Sequence, residues 1–85
     1  MKIENEKINS CKSKLKKIRL IRGFTQNDVA ELSGVNIKSI AVYEQEPERI
    51  NKASIETVIL LADSLGCDIE DLIDRDKIMK KQLRV

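Results

Sequence analysis

The chain has no histidine and no tryptophan, and only one tyrosine, one phenylalanine, one proline, three glycines and two cysteines in 85 residues. Without histidine, and with Cys11 and Cys67 far apart and outside any CxxC spacing, neither a metal site nor a cofactor is expected. Asp68, Asp71, Asp74 and Asp76 lack the ligand pattern of a calcium loop and read as helix caps and solvated surface. There is no nucleophile–base pair and no glycine-rich phosphate loop, so an enzyme is not expected. No apolar run approaches the roughly 20 residues that cross a bilayer. The opening MKIENEKINS lacks the apolar region of a signal peptide. The expectation is a cytoplasmic protein with no membrane partner.

An aromatic content of 2% leaves aliphatic side chains to fill the core, and 41% apolar residues suffice for one modest domain. Sixteen Lys and Arg against fourteen Asp and Glu give a net charge of only +2, so the distribution matters more than the sum. From Lys7 to Arg22 every charged residue is basic, whereas the second half is mostly acidic until Lys77, Lys80, Lys81 and Arg84. Cys67, beside Gly66, reads as a small buried hydrophobe, and Cys11 as a partly exposed thiol in a polar segment.

Residues 25–46, TQNDVAELSGVNIKSIAVYEQE, organise the rest. Thr25 is placed to cap a helix over 26–33, with Val29, Ala30 and Leu32 near one apolar face. Gly34 breaks the run at a reversal that favours positive φ, and Asn36 caps a second helix ending at Gln45. Val35, Ile40 and Tyr43 suit its buried side. Capped helix, small Ala30, glycine turn and capped helix make a helix-turn-helix pattern.

Upstream, residues 1–12 read as a tail or a short helical extension, followed by a helix over 13–22. Leu15, Ile18 and Ile21 face inward and Gly23 stops it. Downstream, Pro47 ends the helix before it and opens a loop over 46–53, anchored by Ile50. Ser54 caps a fourth helix carrying Ile55, Val58, Ile59, Leu61, Ala62 and Leu65 and ending at Gly66. Asp68 caps a fifth, with Ile69, Leu72 and Ile73 inward. Residues 74–85 form a charged tail in which Ile78, Met79 and Leu83 leave room for further helix. The reading is an all-α bundle of five helices in one domain over residues 13–73.

The run LKKIRLIRGFTQ from Leu15, the pieces around Ala30, SGVN from Ser33, Ser39–Ile40 and Tyr43–Glu44, and the pair SIETV and LADSLGC ending at Cys67 resemble the Cro/C1-type (XRE-like) helix-turn-helix proteins. The resemblance covers residues 13–73. It implies a five-helix, lambda-repressor-like domain that binds operator DNA, usually as a dimer, with the third helix in the major groove. It also implies a partly buried ion pair between Arg19 and Glu44 that fixes the docking angle of that helix. Gln26 resembles the family's phosphate-clamping glutamine.

On a groove-bound third helix the outward side chains are Ile37, Lys38, Ala41, Val42 and Gln45. Lys38 suits guanine O6/N7, and exposed Ile37 and Val42 suit thymine methyl groups, partial burial being the alternative for Val42. Asn36, Ser39 and Gln45 are phosphate candidates with capping or solvation as the plainer role, and Arg49 and Lys52 could reach the backbone. Against this, residues 24–56 hold Lys38, Arg49 and Lys52 but six acids, Asp28, Glu31, Glu44, Glu46, Glu48 and Glu56. A locally acidic unit is unfavourable for phosphate contact unless the lysines of residues 12–17 complete the footprint. Leu60, flanked by Ile59 and Leu61 that serve the core, is the candidate for a homodimer face. The expected function is a transcriptional regulator, a repressor by type. The alternative is a protein-interaction module on the same fold, such as the antitoxin half of a toxin–antitoxin pair.

Overall fold

A computed structural model describes residues 11–74. The expectations for a tail or helical extension over 1–12 and a charged C-terminal tail over 74–85 lie outside the described residues, apart from Cys11, Lys12 and Asp74. The architecture is all-α. The described residues form four α-helices, α1 (Lys14–Arg22), α2 (Gln26–Ser33), α3 (Ile37–Gln45) and α4 (Ile55–Leu65), with one 3₁₀ segment, Pro47–Lys52, between α3 and α4 and another, Ile69–Asp71, after α4. There is no strand among the described residues.

Helix boundaries follow from local chemistry. Ser13, Thr25, Asn36 and Ser54 each accept a backbone N–H of the turn they precede, satisfying donors that would otherwise lack partners. At α2 the arrangement is reciprocal: Thr25 Oγ1 accepts from Asp28 N at 3.0 Å while Asp28 Oδ2 accepts from Thr25 N at 2.8 Å. Gly34, at φ 78°, takes the left-handed conformation that turns the chain from α2 into α3. Buried Ser33 stitches the same turn, its hydroxyl donating to the Val29 carbonyl at 2.6 Å and accepting from Val35 N at 3.1 Å.

The core is aliphatic: Leu15, Val29, Ile40, Ile50, Val58, Leu61, Ala62, Leu65 and Leu72 are buried, with Ile18, Phe24, Ala30, Val35 and Tyr43 packed against them. α2 packs on both α3 and α4, and α1 touches α3 and α4. Cys67, in no disulfide, is half-buried against this core, and burial pushes its thiol above the ordinary value.

The structure corrects several expectations. Ile21 is 56% exposed, because the inward side of α1 is taken by Leu15, Ile18 and Arg19; the exposed Arg22 beside it reaches the end of α4 instead, its guanidinium donating to the Leu65 and Gly66 carbonyls at 2.8 and 3.3 Å. Leu32 is exposed, because Ser33 occupies the position one turn after Val29. Ile55 and Ile59 are exposed too: Val58, Leu61, Ala62 and Leu65 already fill the inward stripe, leaving the other two at its edge. The segment after Pro47 is 3₁₀ helix rather than loop, with Ile50 buried beneath it. The fifth helix is a single 3₁₀ turn, closed by reciprocal Asp68–Asp71 capping before Leu72 enters the core.

Candidate nucleic-acid interface

Side-chain hydrogen bonds from α1 and α2 to α3 converge on Glu44. Arg19 Nε donates to Glu44 Oε2 at 2.7 Å and Arg19 Nη2 to Oε1 at 2.8 Å, a two-pronged contact between side chains only 10% and 4% exposed. Arg19 Nη1 donates to the Phe24 carbonyl at 2.9 Å, and Gln26 Nε2 donates to Glu44 Oε1 at 3.2 Å. α1, the link into α2, the first turn of α2 and the last turn of α3 are thus joined through one carboxylate. The hydrogen bond to Glu44 raises the Arg19 pKa above its ordinary value, against the lowering effect of burial. No buried side-chain nitrogen or oxygen among the described residues is left without a hydrogen bond.

With Ile40 buried and Tyr43 packed on the core, α3 turns Ile37, Lys38, Ala41, Val42 and Gln45 outward. Ile37, Lys38 and Gln45 are exposed, whereas Ser39, Ala41 and Val42 are half-buried. Beside this face runs an open groove of about 550 Å³, lined by Lys38, Ser39, Val42 and Tyr43 of α3 and by Arg49 and Lys52 of the 3₁₀ segment. Five of the nine DNA-contact residues expected from sequence therefore line one groove. Gln45 and Ile37 lie on the same helix outside it. Asn36 is occupied as the cap of α3, its Oδ1 accepting from Lys38 N at 2.8 Å. Gln26 is half-buried with its amide engaged by Glu44, which sets it at the junction of α2 and α3.

Of the six acids along this stretch, Glu44 is buried in its ion pair and Asp28 is engaged in the α2 cap, whereas Glu31, Glu46, Glu48 and Glu56 are exposed, Glu31 accepting from the Asn27 amide at 3.4 Å. Glu46 meets Arg49 at 3.3 Å, but both side chains are about 60% exposed, so the pair is weak and Arg49 can turn to another anion at little cost. Of the N-terminal lysines, Lys14 is drawn away, its Nζ donating to the Ile73 carbonyl at 3.0 Å. Tyr43 as a groove wall and Arg22 as a clasp on α4 were not legible beforehand: periodicity gave Tyr43 only a core role, and a basic residue ending a helix reads as dipole compensation.

A helix-turn-helix family profile matches residues 15–72, spanning both helices and the elements that brace them. The chain belongs to the Cro/C1-type (XRE-like) helix-turn-helix family. No curated protein and no solved structure matches it. The family is one of DNA-binding regulators rather than of enzymes. α2 and α3, joined by the Gly34 turn, are the two helices of the motif. Among the described residues no three His, Cys, Asp or Glu side chains gather to hold a metal ion, and no helix is long and apolar enough to cross a membrane.

Proposed function

We propose that the chain is a sequence-specific transcriptional regulator of the repressor type, acting in the cytoplasm on duplex operator DNA as a homodimer. α3 reads the major groove, with Lys38 donating to guanine O6/N7 and Ser39, Arg49 and Lys52 holding phosphates. Gln26, Asn36 and Gln45 border the same surface, and Gln26 is placed by its bond to Glu44. One observation carries the reading: the outward side of α3 and the cations of the following 3₁₀ segment open onto a single groove, while the Glu44 carboxylate at the end of that helix is turned inward to Arg19. The Arg19–Glu44 pair fixes the angle at which α3 is presented. Leu60 is 39% exposed and stands beside exposed Ile59, which makes this stretch of α4 the candidate for the homodimer face.

Selection from a random duplex pool, followed by anisotropy titration of the winners across salt, tests the proposal. A palindromic motif is expected, with half-sites about one helical turn apart and affinity that falls as salt rises. Leu60→Glu should shift the sedimenting species from dimer to monomer. An absence of enrichment even at low salt would favour the alternative, a protein-binding module on the same fold.

A further inference from the structure

The outer side of α4 is apolar in part, and its only charges are negative. Ile55, Ile59 and Leu60 are 64%, 40% and 39% exposed, and Glu56 and Asp63 stand exposed among them. At helical spacing these residues form one continuous face: Ile55 lies a turn from Ile59, Ile59 from Asp63, and Glu56 from Leu60. α4 carries no lysine or arginine to balance it. The imbalance extends past the helix. From Ala53 to Asp74 the sequence holds six acids, Glu56, Asp63, Asp68, Glu70, Asp71 and Asp74, and no basic residue. Residues 75–85, RDKIMKKQLRV, invert the pattern: Arg75, Lys77, Lys80, Lys81 and Arg84 stand against Asp76 alone, with Ile78, Met79 and Leu83 among them.

We propose that residues 75–85 dock on this face of α4 of their own chain, their aliphatic side chains on Ile55, Ile59 and Leu60 and their lysines on Glu56 and Asp63. Charge favours this occupant over a second copy of the bare helix. Another α4 laid on the first would add two more carboxylates and no cation, whereas residues 75–85 bring both the opposite sign and apolar surface. Position favours it as well. The turn Ile69–Asp71 packs against α4, and the segment begins only a few residues later. Extended, the segment reaches about 36 Å, against about 16 Å for the length of α4. The docking does not rest on how α3 reads DNA. It does bear on the homodimer proposed above, because a second copy approaching Leu60 meets α4 with the segment laid over it.

Zero-length carbodiimide coupling of the full chain tests the docking, since it joins an ammonium to a carboxylate only when the two are in contact. Isotope-labelled and unlabelled chains are mixed in equal amounts, so bonds within a chain and between chains differ in mass. Isopeptide bonds from Lys77, Lys80 or Lys81 to Glu56 or Asp63 within one chain are expected. Exposed Glu31, on α2, sets the yield of chance encounter, which the α4 bonds should exceed several-fold. Ile55→Ser and Leu83→Ser keep every reacting group, and each should bring the α4 yield down toward that level. Ile55→Ser should leave the thermal melt unchanged, since Ile55 is outside the core. Equal coupling to Glu31 and to α4, or coupling that neither variant lowers, overturns the docking. Coupling to α4 only between chains overturns it too, and gives the face to a second copy. Sedimentation of the untreated chain reports the homodimer separately: a dimer without these bonds leaves that reading standing while this one falls.

Discussion

Arg19 and Glu44, 25 residues apart in the chain, meet through two hydrogen bonds of 2.7 and 2.8 Å with almost no solvent around them. Buried charges of this kind cost desolvation, and the pair holds only because each partner is satisfied by the other and by Phe24 and Gln26. Arg19→Ala leaves the Glu44 carboxylate buried without its cation, and should destabilise the domain by about 3–5 kcal/mol in urea unfolding. Glu44→Ala should cost a similar amount. If either change is neutral, the pair does not brace α3.

Lys38 of α3 and Lys52 of the 3₁₀ segment both line the groove and should fail differently. Lys38→Ala should cost about 1–3 kcal/mol on the best site and relax selectivity at one position. Lys52→Ala should weaken all duplexes alike and lower the slope of log affinity against log salt by about one unit. Anisotropy titrations on a selected and a scrambled duplex separate the two patterns.

Gly34 turns α2 into α3 at φ 78°, with nothing within 4 Å of where a Cβ would stand. Substitution there meets backbone strain without a clash. Gly34→Ala should lower stability by about 1–2 kcal/mol, and Gly34→Asn by less, because asparagine tolerates the left-handed region. Paired thermal melts read the difference.

Cys67 gives the fold a pH dependence at the alkaline end. Burial raises its thiol pKa above the ordinary value of 9.0, so the folded chain holds the proton more tightly than the unfolded one. The resulting stability is complete below about pH 9 and is lost as pH rises through the folded-state value. Denaturation across pH 7 to 11 should show wild type losing more stability above pH 9 than Cys67→Ala does. Parallel curves would remove the effect.

Boundaries were legible because they rest on single residues. Thr25, Gly34, Asn36, Ser54 and Gly66 each have one local task, and each performs it. Side-chain direction was less legible at helix ends, where Ile21, Leu32 and Ile55 look apolar enough to be buried but lie off the inward stripe. Hydropathy does not reveal that Ser33 can take an inward position when its hydroxyl finds a backbone carbonyl, or that the exposed Arg22 reaches across to the end of α4. A charge count also cannot separate a carboxylate facing solvent from one engaged within the fold: of the acids in residues 24–56, Glu44 is buried while Glu31, Glu46, Glu48 and Glu56 are exposed. The groove itself was out of reach, because its second wall is a 3₁₀ segment whose sequence reads as loop.

The 3₁₀ segment Pro47–Lys52 has two sides. Arg49 and Lys52 face the groove, whereas Asn51 accepts the Asp74 N–H at 2.7 Å, close to where the Lys14 ammonium holds the Ile73 carbonyl at 3.0 Å. The first and last turns of the domain are thereby pinned to one corner. A short covalent tether between them would close the chain into a ring with little entropy left to lose. A fusion at residue 74 would start from the corner where α1 begins.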